Sequence, residues 1–259
     1  MLHTRLLTAA VLLALFLAAL FRLPPTAWTL VLLPVLWLGA REWAQLAGLA
    51  RATGWVYASA LSGAGLLIYF VAPQAEPVLQ AIALAFWLLV APLWLARGWT
   101  VRGLPLAVTG VLVLLATWLA LARLQGTAGA LLACLAVVWI ADTSAYLAGR
   151  RWGRRKLAPG ISPGKSWEGV AGAAVAVVAY YLVLQWAWAD APLALQGLFG
   201  AGTVLLLFVL SIEGDLFESW LKRRAGLKDS GALLPGHGGV LDRIDGLLAT
   251  LPAVALLLR

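Results

Sequence analysis

The chain has 259 residues, of which 63% are hydrophobic and 12% charged, with a mean hydropathy of +0.93. Too little polar surface remains to coat a water-soluble globule, so lipid must solvate much of it. The formal charge of +8 does not point to nucleic acid, because the basic residues interleave with apolar runs and no nucleic-acid module is present.

A bilayer core about 30 Å thick takes roughly 20 apolar residues per helical crossing. Nine runs approach that length, near 6 to 21, 26 to 40, 55 to 72, 78 to 96, 104 to 122, 127 to 148, 167 to 188, 196 to 213 and 240 to 258. They predict an all-α, polytopic transmembrane bundle of about nine helices. Residues 1–259 read as a single integral membrane domain, with 1–123 a helical scaffold and 124–259 the half that carries chemistry. The first run lacks a small-residue cleavage site and reads as a retained helix. Pro24 and Pro25 divide it from the second, so the two could be separate crossings, one broken crossing or a re-entrant pair.

Cytoplasmic loops retain Lys and Arg during insertion. On the nine-helix reading, sixteen of the nineteen lie on one side: Arg5, Arg41, Arg51, Arg97, Arg102, the six from Arg150 to Lys165 and the five from Lys222 to Arg243. Arg22, Arg123 and Arg259 lie on the other. The N-terminus is therefore expected in the cytoplasm and the C-terminus outside. The fourteen Trp read mostly as lipid-facing or interfacial anchors. Cys134, the single cysteine, lies in an apolar run and permits no disulfide within the chain. No internal repeat is evident.

Polar density rises in three places after Arg123. Asp142, with Thr143, Ser144 and Tyr146 beside it, sits near the cytoplasmic end of the sixth run, where an acid is a functional candidate. Tyr146, four residues on, either satisfies that carboxylate or joins it in positioning a ligand. The loop from Gly149 to Gly169 opens with Arg150, Arg151, Arg154, Arg155 and Lys156, a topology signal or an anchor for anionic lipid. Ser162, Lys165 and Ser166 follow Pro and Gly just before a helix, where a hydroxyl can cap and an ammonium can meet phosphate. Gly160 to Ser166 is no P-loop, since it lacks the G-x-x-x-x-G-K-[ST] spacing and a preceding strand.

The third place is densest. Six of the eleven acids, Glu213, Asp215, Glu218, Asp229, Asp242 and Asp245, fall between Ser211 and Asp245, among Lys222, Arg223, Arg224, Lys228, His237 and Arg243. Both charge signs together suit a bound metal and a phosphate. If the eighth helix continues through Ser219, Asp215, Glu218 and Lys222 share a face, and Asp242 and Asp245 repeat the i, i+3 spacing. A carboxylate pair of this kind can hold Mg²⁺ together with phosphate oxygens, or can be cytosolic loop charge. Pro235-Gly236-His237-Gly238-Gly239 permits close approach to a phosphate, or is simply a helix-helix turn. His237 is open as a phosphate contact, a base or a loop histidine.

Taken together, Ser219-Trp-Leu-Lys222-Arg223, then Lys228-Asp229, then Leu234-Pro-Gly-His237-Gly238-Gly239-Val-Leu-Asp242-Arg243-Ile-Asp245 resembles the 27-residue signature of the phosphatidate cytidylyltransferases, or CDP-diacylglycerol synthases. Asp142-Thr-Ser-Ala-Tyr146 and Ser162-Pro-Gly-Lys165-Ser166-Trp-Glu168-Gly169 are similar to that family as well, so the resemblance spans the C-terminal half. It implies an integral enzyme of a bacterial-type cytoplasmic membrane, its site facing the cytoplasm, joining CTP and phosphatidate into CDP-diacylglycerol with release of pyrophosphate. Mg²⁺, and a second monovalent cation such as K⁺, are implied as cofactors, and a homodimer as the assembly. The resemblance assigns Asp215, Asp242 and Asp245 to the metal, and gives these three with Lys222 and His237 the catalytic roles. Asp142, Tyr146, Ser162, Lys165, Ser166, Ser219, Arg223, Lys228, Asp229, Gly238, Gly239 and Arg243 become substrate contacts. Two rivals are a CTP-dependent cytidylyltransferase or kinase acting on a prenyl-type lipid, and a secondary transporter of an anionic solute. The latter predicts polar residues near helix centres rather than at one face.

Overall fold

The computed structural model describes residues 2–231 and 238–259. Leu23 and Pro24 form a corner between two separate helices, α1 (Leu2–Arg22) and α2 (Pro25–Leu46), with Pro25 in the first helical position that its fixed φ suits. After α3 (Arg51–Phe70) comes the rod Pro73–Arg97, in which α4 (Glu76–Ala85) and α5 (Ala91–Arg97) are joined by a π turn at Phe86–Val90. The chain continues through α6 (Leu104–Arg123), α7 (Ala128–Trp152), an antiparallel hairpin of β1 (Lys156–Ala158) and β2 (Ser162–Ser166), then α8 (Trp167–Ala187), α9 (Gly197–Arg224) and α10 (Leu241–Leu257).

This is the expected all-α polytopic bundle, with a slightly different count: ten α-helical segments among the described residues, two of them sharing one rod. Four stretches are long and apolar enough to cross a membrane by length and composition, namely Pro73–Arg97, Leu104–Trp152, Trp167–Ala187 and Gly197–Arg224, the second holding both α6 and α7. The eighth run extends well past Glu213, because α9 carries its polar face on to Arg224. Part of the loop expected between Gly149 and Gly169 is instead the small hairpin.

The tryptophans depart from expectation. Trp28, Trp43, Trp87, Trp94, Trp118 and Trp220 are buried in the core, while five of the fourteen are exposed. Burial is tolerable where the indole N–H finds an acceptor. Trp28 donates to the Leu121 carbonyl at 2.9 Å, Trp43 to Leu106 at 2.8 Å and Trp220 to Trp99 at 3.1 Å, each stitching two elements together. Cys134 is buried and free.

Helices approach closely where small residues face each other, as membrane packing favours. A Cβ on Gly169 of α8 would lie 2.8 Å from the Ala145 carbonyl of α7, and one on Gly246 of α10 would lie 3.0 Å from Val138 of α7. Charge sorts to the two ends. At one end Arg123 donates to Glu76 Oε1 at 2.8 Å, and Arg259 stands 3.9 Å from Oε2. At the other end lie the hairpin and the acid-rich parts of α9 and α10.

Candidate active site

Gly214 of α9 packs directly against the Asp245 backbone of α10, with no room for a side chain. Asp215 follows Gly214 in sequence, so this crossing brings Asp215 within electrostatic reach of Asp245. Because α9 runs through to Arg224, Asp215, Glu218 and Lys222 do share one helical face. The Lys222 ammonium lies 2.5 Å from Glu218 Oε2 and 2.5 Å from Asp242 Oδ1, bridging the two helices. Lys165, at the end of β2, lies 2.5 Å from Asp215 Oδ2, and the Ser219 hydroxyl donates to Asp215 Oδ1 at 3.3 Å. Asp142 of α7 is within electrostatic reach of Asp215 and Lys165, and Asp245 within reach of Asp215, Glu218 and Asp142. Residues from four elements thus converge, as the sequence spacing predicts for α9.

Asp242 joins that group through Lys222 and is the acid most fully met by donors. Its Oδ1 is taken by Lys222, while Oδ2 accepts from the Ser230 N–H at 2.9 Å and the Gly239 N–H at 2.8 Å and lies 3.0 Å from the Ser230 hydroxyl. A residue of the N-terminal scaffold half completes this arrangement. Glu42 of α2, 8% exposed, accepts from the Val240 N–H at 2.9 Å and the Leu241 N–H at 2.8 Å, and Ser230 Oγ lies 2.8 Å from its Oε2. The N-terminal end of α10, expected to receive a phosphate, is therefore filled by two protein carboxylates. The glycines serve the same contact. Gly238 has a left-handed φ of +78°, and a Cβ there would meet Asp242 Oδ2 at 2.5 Å; a Cβ on Gly239 would meet both Glu42 oxygens at 2.5 Å.

Around the hairpin the roles also resolve. The buried Ser166 hydroxyl accepts from the Gly169 N–H at 3.2 Å and caps α8, the structural option for that residue. Ser162 is a partly buried β2 residue paired with Ala158. Glu168 accepts from the Arg154 and Arg155 N–H groups at 3.0 and 3.1 Å and so folds the basic run back on α8. Arg223 donates to the Ile161 carbonyl at 3.3 Å, tying the hairpin to α9. Tyr146 is exposed, and its hydroxyl accepts from Arg150 at 3.3 Å rather than serving Asp142. Lys228, Asp229 and Arg243 are exposed at this same end. Pro235, Gly236 and His237 lie outside the described residues, so the roles open for His237 fall there too.

A model of the cytidylyltransferase family matches residues 3–259. The chain belongs to the cytidylyltransferase family. Phosphatidate cytidylyltransferase of Pseudomonas aeruginosa is 42% identical over 266 residues, covering 100% of this chain and 97% of that protein. Phosphatidate cytidylyltransferase of Haemophilus influenzae is 34% identical over 282 residues, covering 97% and 96%. That of Thermotoga maritima is 41% identical over 157 residues, covering 59% and 57%. The family match includes the N-terminal half, where motif reading found no resemblance and where Glu42 lies.

Among the described residues of this cytidylyltransferase, no three His, Cys, Asp or Glu side chains form a finished metal cage. The donor chemistry nonetheless fits a hard cation. Asp142, Asp215, Glu218, Asp242 and Asp245 face two ammonium groups, Lys165 and Lys222, which leaves negative charge in excess. Glu218 Oε1 is buried with no hydrogen bond, and Oε2 touches Lys222 without hydrogen-bond alignment. An all-oxygen set with unspent lone pairs is what Mg²⁺ takes beside phosphate.

Proposed function

We infer that this chain is a phosphatidate cytidylyltransferase, moving the cytidylyl group of CTP onto phosphatidate to give CDP-diacylglycerol and pyrophosphate at the cytoplasmic face of a bacterial cytoplasmic membrane. The carrying observation is the carboxylate cluster Asp142, Asp215, Glu218 and Asp245, set against Lys165 and Lys222 at one end of an apolar bundle. The full-length relatives' names agree with it. The sixteen-to-three distribution of basic residues supports a cytoplasmic location for that end.

The lipid's phosphate monoester is already an anionic nucleophile. One of its oxygens bonds to the α-phosphorus of CTP while the bond from that phosphorus to the α–β bridging oxygen breaks, and pyrophosphate leaves with the electron pair. Such a step needs alignment and charge neutralisation more than a general base. Asp215 and Asp245, with Asp142 beside them, would hold Mg²⁺, which neutralises triphosphate charge when bound. Lys165 and Lys222 supply ammonium groups whose carboxylate partners phosphate oxygens can replace, and Arg223, Lys228 and Arg243 add positive charge at the same end. Asp242 acts through Lys222, holding its ammonium toward Glu218.

Purified protein supplied with CTP, Mg²⁺ and phosphatidate is expected to release pyrophosphate and form a product with the mass of CDP-diacylglycerol. Absence of release across a panel of lipid phosphates would overturn the reading. CDP released with a prenyl alcohol as acceptor would point to the kinase rival instead.

A further inference from the structure

We propose that Glu42 is a positioning residue for the reaction: its carboxylate pins both flanks of the segment between Ser230 and Leu241 and so sets where Lys222 and Asp242 stand relative to Asp215 and Asp245. The inference rests on the cytidylyl transfer proposed for this site. A buried carboxylate is costly unless several donors meet it. Glu42 is met by the Val240 and Leu241 N–H groups from the second flank and by the Ser230 hydroxyl from the first. That hydroxyl also lies 3.0 Å from Asp242 Oδ2, so a single proton serves two carboxylates. From Asp242 the connection continues to the Lys222 ammonium and on to Glu218, the neighbour of Asp245. An unbroken polar chain therefore runs from α2 in the N-terminal half to the centre of the cluster.

The backbone is shaped for this contact and for no larger one. A Cβ on Gly231 would lie 2.5 Å from Glu42 Oε1, and a Cβ on Gly239 would lie 2.5 Å from both of its oxygens. Two glycines on opposite flanks, far apart from Glu42 in sequence, thus leave space for one carboxylate. Glutamine would present an amide N–H₂ toward backbone donors, so near-identical shape does not preserve the contact.

Glu42→Gln, assayed as purified full-length protein in detergent, is expected to lose at least about 10-fold in kcat with little change in the KM for phosphatidate, since the Glu42 carboxylate is buried and met by protein donors. Hydrogen exchange at the Val240 and Leu241 amides should accelerate, while amides later in α10 stay protected. A second arm uses Gly231→Ala, whose methyl group collides with Glu42. Alone it should lower kcat, and in a Glu42→Ala background it should add little, making the pair non-additive. Unchanged kcat and unchanged exchange in Glu42→Gln, or strictly additive effects in the double variant, would overturn the positioning role. A wild type without cytidylyl transfer would instead retire the reaction, and the exchange measurement would still decide whether Glu42 fixes the segment.

Discussion

At the residue scale the acids of the cluster differ in how fully they are compensated. Asp215 has Lys165 and Ser219, and Asp242 has Lys222 and three hydrogen-bond donors close by. Asp245 accepts from the adjacent Gly246 N–H at 2.8 Å and otherwise faces Asp215, Glu218 and Asp142. Like charges at close range repel, and a bound cation relieves them. Asp245→Asn removes one charge and no volume, so the folded protein should remain inserted while turnover falls on the order of 100-fold or more, since a metal contributes several kcal/mol of charge stabilisation. Initial rates beside a size-exclusion profile in detergent check this, and near-normal rates would take Asp245 out of the metal role. Part of this site was legible because helical spacing alone places Asp215, Glu218 and Lys222 on one face. Glu42 was not: no periodicity links an isolated acid at the end of an apolar run to donors 188 and more residues away. The one available signal was that ionisable residues within membrane helices are usually functional.

Elements set the distance between those residues. The π turn at Phe86–Val90 brings Phe86 and Trp87 edge-on to Phe217 of α9, with ring centroids 5.7 and 5.4 Å apart, and Trp94 completes the cluster at 5.3 Å. Phe217 immediately precedes Glu218, so this packing holds α9 in rotation as well as in place. One turn earlier on the same helix, Gly214 admits α10. Gly214→Ala must push the helices apart or displace the Asp245 backbone, which costs about 1–3 kcal/mol of stability and separates Asp215 from Asp245. The expected outcome is a lower thermal midpoint with a turnover loss larger than the folded fraction explains. Gly202→Ala, on the same helix with open space around it, should be neutral or mildly stabilising in both measurements, and equal behaviour of the two variants would dismiss the close crossing as the cause. Hydrophobic runs located most of these helices, yet could not tell a core tryptophan from a lipid-facing one, because both environments are apolar. The hairpin leaves no signal in the sequence for a related reason: β1 and β2 span three and five residues, and β2 carries Pro163 and Gly164, too short and too interrupted for an alternating pattern.

For the whole molecule, the arrangement of ends decides which compartment supplies the nucleotide. Lys165, Glu42, Lys222 and the hairpin gather at one end of the bundle, whereas Glu76, Arg123 and Arg259 meet at the other. CTP and its triphosphate cannot cross lipid unaided, so the first end must face the cytoplasm if the proposed reaction is correct. The chain is suited to a direct test, because its single cysteine, Cys134, is buried and contributes little background to thiol labelling. Lys156→Cys places a thiol at the exposed start of the first hairpin strand, and Asp190→Cys places one on the exposed turn between α8 and α9. In intact cells a membrane-impermeant maleimide should label Asp190→Cys at once and Lys156→Cys only after the membrane is permeabilised. Reversed labelling would put the carboxylate cluster on the outer face, away from CTP. Because positive charge retained in cytoplasmic loops and a triphosphate site both require cations at the same membrane face, one orientation satisfies insertion and catalysis together.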